Sequence, residues 1–130
     1  MKKLIAALAI LALIVSASVV EIVYLERTYD GVLARLHTVE EKIDADFEHV
    51  DSADTVAAME EVLRYWESRR MISMSMLNHT QTKNIDDRLV MALAYCKVNA
   101  NNDAAVTVQS AIRQFEDFKA DAYPNYTNMF

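Results

Sequence analysis

Met71, Met74, Met76 and His79 form the densest run of soft donor atoms in this sequence. Thioether and imidazole ligands together select Cu(I) or Ag(I), so a soft-metal site (copper or silver) is the sharpest chemistry this spacing offers. On a helix Met71 and Met74 lie about 60° apart, as do Met76 and His79, but the two pairs face different directions. One centre would require the helix to unwind there, and methionine is equally a filler of irregular core gaps. The expectation is no cofactor, with an extracytoplasmic sensor or soft-metal domain through Met71–His79 as the alternative.

Asp44, Asp46, Glu48 and Asp51, with His49 among them, gather carboxylates near one turn. Hard cations need several converging oxygens. The calcium-loop pattern is absent, since no glycine and no closing bidentate glutamate fall at the required spacing. Residues two apart on a helix point about 200° from one another, so a solvated charged turn is expected. His37, His49 and His79 each lack a second His or Cys at metal-ligand spacing, and no Ser/His/Asp arrangement is legible. Gly31 alone cannot build a phosphate loop, and Glu60 and Glu61 read as solvated neighbours on a helix surface. No enzymatic activity is expected. Cys96, the single cysteine, cannot form an intramolecular disulfide and reads as a small buried hydrophobe between Leu93 and Val98.

These residues must be held by helices. One Gly and one Pro in 130 residues leave almost no turn chemistry, and 53% of the chain is hydrophobic. No run of alternating β-branched residues occurs past Val23, so the fold class is all-α. Lys2 and Lys3 are the only charges before Glu21, and all 19 acidic residues lie beyond position 20. The part after the apolar head therefore carries a net charge of −8, from 11 basic and 19 acidic residues. That balance excludes nucleic acid as an expected partner and disfavours a polybasic grip on anionic lipid.

Leu4–Val20 is uncharged and free of Gly and Pro. Seventeen residues reach about 26 Å, slightly short of the roughly 30 Å hydrocarbon core. Ile22, Val23 and Leu25 close the gap, and Tyr24 and Tyr29 come next, where interfacial aromatics sit. Ser16-Ala17-Ser18 would suit a signal-peptide cleavage site, which would give a secreted protein. No helix breaker separates the apolar run from Glu21 and the residues beyond it, however, so residues 1–23 are read as a cytoplasmic tip and retained transmembrane signal anchor. Lys2 and Lys3 place the N-terminus in the cytoplasm and the remainder outside, on the positive-inside tendency.

From Ile22 a heptad runs through Leu25, Tyr29, Val32, Leu36, Val39, Ile43, Asp46 and Val50, so membrane segment and soluble part read as one long helix. Residues 24–123 are expected to form an extracytoplasmic up-down helical bundle of about four helices, at about 24–49, 53–78, 85–99 and 104–122. Asp51, Ser52 and Asp54 mark the first connection. The second helix turns Val56, Met59, Leu63, Trp66 and Leu77 inward, with Arg70 on the same stripe needing a carboxylate. The all-polar stretch His79–Asn84 predicts a break. The third helix presents Ile85, Leu89, Ala92, Leu93 and Cys96, and Asn99–Asp103 is a turn, with Asn102 or Asp103 capping the fourth helix. That helix presents Ala105, Val108, Ala111, Ile112, Phe115 and Phe118. Trp66, Leu63, Leu89 and Phe115 are the expected core anchors. Pro124 opens a short tail over 124–130.

The Met-Lys-Lys-apolar start, Trp66, His79 before Ile85-Asp86, the Asn102-Asp103 turn and the closing Asn128-Met129-Phe130 run nearly the length of the chain. In these features the sequence resembles a small family of Gram-positive, membrane-anchored helical proteins of unknown function. The resemblance implies an extracytoplasmic helical domain with no assigned activity, working beside integral membrane proteins as an accessory subunit. It carries over no functional residues. The expected function is thus a membrane-anchored interaction or accessory module partnered by another membrane protein. A homo-oligomer, self-associating as a coiled coil along Ile22–Val50, is the further alternative.

Overall fold

The computed structural model describes the backbone of residues 1–74 and 79–122 and the side chains of residues 1–70 and 80–121. All regular structure in that range is helical. Helix α1 spans Lys2–Ala45, α2 Ala53–Met74, α3 His79–Lys97 and α4 Asn101–Ala122. A single 3-10 turn, Phe47–His49, lies between α1 and α2.

The 44 residues of α1 form one unbroken helix, about 66 Å long at 1.5 Å per residue. Its first half stands clear of the rest of the molecule, with Leu4, Ile5, Leu8, Leu11, Leu13 and Ile14 all exposed. By length and composition this stretch can cross a membrane. Its second half is one wall of a four-helix bundle. Each helix packs against its chain neighbours and α4 closes the ring against α1, while the diagonal helices α2 and α4 meet through core side chains, Trp66 against Phe115. Lys42–Asp54 and Arg35–Glu61 link α1 to α2 in antiparallel register, and Lys119–Asp30 does the same for α4 and α1. The bundle thus has a near end, where α1 leaves it, and a far end at the opposite pole.

One spacing builds the core. The central-stripe positions are Tyr29, Val32, Leu36, Val39 and Ile43 on α1, with Thr28 buried beside them as Ile112 is on α4, and Thr55, Met59, Val62 and Trp66 on α2. On α3 they are Thr82, Ile85, Leu89, Ala92 and Cys96, and on α4 Ala104, Val108, Ala111, Phe115 and Phe118. Steps of three and four alternate along every helix. That is the heptad signature of bundles whose helices cross at about 20° with interdigitating side chains. Small residues on α3 and α4 at the far end (Ala92, Ala104) give way to Tyr29, Trp66, Phe115 and Phe118 at the near end. Those four rings form one cluster, with Trp66 edge-on to Phe115 at 5.3 Å and Tyr29 at 5.9 Å from Phe118.

Several boundaries differ from the sequence reading. Polarity alone suggests a break over His79–Asn84, but α3 begins at His79 and Thr82 is buried on its stripe. The 3-4 period runs on through polar residues, and the solvent takes the rest of that turn. α2 is described through Met74, and its expected end at 78 lies outside the described residues; α4 begins at Asn101, where Ala100 supplies the first helical carbonyl to Ala104 N–H. Neither Asn102 nor Asp103 is the cap. α1 ends at Ala45 because Asp46 is extended (φ −145°), so Asp46 drops out of the stripe while Val50, past the 3-10 turn, stays buried.

On α2 the core stripe uses Thr55 and Val62; Val56 and Leu63 are half-buried at its edge. Tyr65 lying on α1 and the Trp66 N–H reaching α3 set that rotation. Ser52 caps α2, accepting from Thr55 N–H.

Asn99 joins the two far-end connections. It sits at φ 55°, the left-handed position that ends a helix in a Schellman turn, with Ala100 N–H bonded to Tyr95 O and Asn99 N–H to Cys96 O. Its side chain accepts from Val50 N–H at 3.0 Å and donates to Glu48 O at 3.1 Å. Asn101 adds a donor to Phe47 O. Asn99→Gly keeps the backbone and removes both side-chain bonds, so it costs about 1–3 kcal/mol in chemical denaturation. Asn99→Ala adds about 1–2 kcal/mol of left-handed strain. Equal stability of Asn99→Gly and the parent would refute the clamp.

Candidate functional site

Polar chemistry concentrates on a seam where α2 meets α1 and α3 toward the near end. Tyr65 leaves α2 toward α1, and its hydroxyl donates to Arg27 O at 3.4 Å. The Arg35 and Arg69 guanidinium carbons lie 3.8 and 3.7 Å from the ring centroid. Arg35 also donates to Gly31 O at 3.0 Å and pairs with Glu61 at 3.5 Å. A Cβ at Gly31 would land on the Tyr65 hydroxyl and ring, so the lone glycine exists for this approach. In the sequence Gly31 reads only as a local loosening of the helix, at roughly 1 kcal/mol relative to Ala. That signal is local, and nothing near it names Tyr65 as the partner.

One residue further, Trp66 buries its indole and donates Nε1–H to Asp86 Oδ1 at 2.5 Å. Arg70 donates to the other carboxylate oxygen at 2.9 Å. Asp86 thereby satisfies the tryptophan N–H and supplies the carboxylate that Arg70 needs. The pair is charge-assisted and half-screened from solvent, so it acts as a fastener between α2 and α3. The seam holds cations against a ring and a carboxylate.

At the far end His49 Nδ1 lies 3.0 Å from Asp46 Oδ1. This hydrogen bond and the Asp46 charge raise the His49 pKa above the ordinary 6.5, assisted by Asp51 and Glu48. The carboxylates of this turn do not converge, and no group of three or more His, Cys, Asp or Glu suited to a metal ion occurs among the described residues. Cys96 is fully buried on the α3 stripe, and burial pushes its thiol pKa up, the reverse of what a reactive thiolate needs. The side chains of Met71, Met74, Met76 and His79 lie outside the described residues, as do Leu77 and the tail. Of the expected anchors, Trp66, Leu89 and Phe115 are fully buried and Leu63 is not.

A shallow groove of about 460 Å³ runs between α3 and α4, lined by Asn84, Asp87, Arg88, Met91, Val106 and Thr107 among others. Arg88 reaches across it to Gln114 Oε1. Polar and apolar lining alternate, and no charged group is buried within it.

Compared with protein-family models, curated proteins and solved structures, the chain matches none at a significant level.

Two measurements test the seam and the far-end pair. Gly→Ala inside a helix ordinarily stabilises by about 1 kcal/mol. Here Gly31→Ala destabilises, and the same substitution in a Tyr65→Ala background recovers the ordinary gain; additive effects in the double-mutant cycle would refute the contact. By NMR titration His49 ionises above 6.5, and Asp46→Asn brings it back down. The sign follows from the raised value: the pair stabilises the fold while the imidazole is protonated, and that contribution is lost as pH rises through the folded-state pKa.

Proposed function

We propose that this chain is a single-pass membrane protein, its N-terminus cytoplasmic and its helical bundle held on the outer face as an interaction or accessory module for another membrane protein. The observation that carries the reading is the continuity of α1. Its apolar half is exposed throughout, with Leu13 at 70% and Val20 at 68%, while its other half supplies a full wall of the bundle core. A soluble four-helix bundle has no use for so long a run of exposed apolar residues; a lipid phase gives them a solvent. Lys2 and Lys3 stay with the cytoplasmic leaflet, and the residues beyond the span (Glu21, Glu26, Asp30) add acidic character outside.

The bundle itself supports a binding role over catalysis. Its polar groups are spent on packing helices together, at Tyr65, Asp86 and Asn99. Anchored through an unbroken helix, it would be presented in one orientation at a fixed height, as an accessory subunit requires. The resemblance to membrane-anchored Gram-positive helical proteins belongs to the same reading.

Alkaline carbonate extraction with protease accessibility tests it. The full-length chain should remain in the carbonate pellet and lose its bundle to protease added outside intact spheroplasts. Release by carbonate, or protection until lysis, would contradict the anchor or its orientation respectively.

A further inference from the structure

We infer that the outer face of α3, with the adjoining start of α4, pairs with a second copy of this chain, α3 against α3 in parallel. Outside the apolar half of α1, the exposed large hydrophobics among the described residues are Phe47, Val90, Met91, Val98 and Val106. All but Phe47 lie on the far half of the α3–α4 face, with the exposed Ala94 between them. Met91, Ala94 and Val98 repeat the three-then-four step of the core, on the opposite side of α3 from Leu89, Ala92 and Cys96. At 100° per residue the two stripes are about 180° apart. α3 thus carries two heptad stripes, and the bundle covers one of them.

Charge selects the occupant. Between Leu89 and Ala111 the only charged residues are Lys97 and Asp103, in a soluble part that is otherwise heavily acidic. Two copies brought together through the α1 surface would press Glu40, Glu41 and Asp44 against their like; this face avoids that repulsion. Lys97 and Asp103 are both exposed and make no ion pair among the described residues.

The relative direction of the two copies rests on the anchored reading above. Chains held in one membrane share direction and height, so their symmetry axis runs along the bundle and each layer meets its own counterpart. Met91, Ala94 and Val98 then face the same residues of the second copy. The α4 flank of one copy lies opposite the α2 flank of the other. Lys97 sits on the α2 side of α3 and Asp103 on the α3 side of α4, at the same end of the bundle. The symmetry therefore sets Lys97 of each copy against Asp103 of the other.

Size sets where pairing occurs. An apolar patch on the order of 400 Å² is ordinary for a monomer surface. It falls below what a stable soluble dimer buries, about 600 Å² or more per partner. Confinement to a membrane supplies the missing effective concentration. The dimer forms in the bilayer and dissociates in dilute solution.

The test is oxidative cross-linking of full-length single-cysteine additions in lipid vesicles, scored after carbonate washing confirms that the chain is anchored. Cys96 is buried and stays in place; the parent chain should give no covalent dimer. Ala94→Cys and Val98→Cys should cross-link to twice the chain mass, while Glu41→Cys on α1 and Ala57→Cys on α2 should not. Adding Val90→Asp to the Ala94→Cys chain should cut the yield about tenfold, the effect of roughly 1.4 kcal/mol, with helix content unchanged by circular dichroism. Cross-linking equal at control and α3 positions, its absence at both α3 positions, or an adduct of another mass would overturn the pairing. A carbonate-stable chain with any of those results leaves the anchor standing; release by carbonate removes the anchor, and with it the parallel register proposed here.

Discussion

A single α-helix carries an exposed apolar segment and then one wall of the bundle, and that constraint shapes the rest of the molecule. α1 is apolar all round over its first half and apolar on one stripe over its second, with no Pro to break it and no glycine before Gly31. The helix runs without interruption from the apolar segment into the bundle. The other three helices are arranged around the stripe that α1 offers, from Tyr29 to Ile43. Where α1 enters the bundle, Tyr29, Trp66, Phe115 and Phe118 fill the wider near end with rings; burial alone pushes the Tyr29 pKa up to about 12.

The 3-4 repeat explains both what is legible in the sequence and what is not. α1, Trp66, Leu89 and the Val108–Phe118 stripe of α4 are readable because large apolar residues recur at heptad steps. The start of α3 is not, since Thr82 holds a core position with a side chain whose composition says turn. The rotation of α2 is also hidden. Met59 and Trp66 fit two stripes equally, one through Val56 and Leu63 and one through Thr55 and Val62. Contacts outside the core decide between them: Tyr65 on Gly31 and Trp66 on Asp86. Such pairs join residues 34 and 20 positions apart, and no local pattern announces them.

The candidate chemistry divides along the same line. Local spacing correctly raises the question of Arg70's partner and of the Asn99–Asp103 turn, and the fold answers both with structural bonds. Asn99 is legible as a turn residue, but its clamp on the α1–α2 connection depends on two connections meeting at one pole. What remains after these groups are accounted for is a surface with its acidic excess on the bundle half of α1 and the turn that follows, and nearly uncharged over the far half of α3 and α4.

Hydrogen exchange of the full-length protein in lipid vesicles, read amide by amide, tests the continuity of α1 most directly. The account predicts unbroken protection from Ser18 through Ile43, with no gap between the last apolar residues and the first core layer at Tyr29. A stretch of freely exchanging amides between Val20 and Arg27 would contradict it, because the bundle would then hang from a flexible tether.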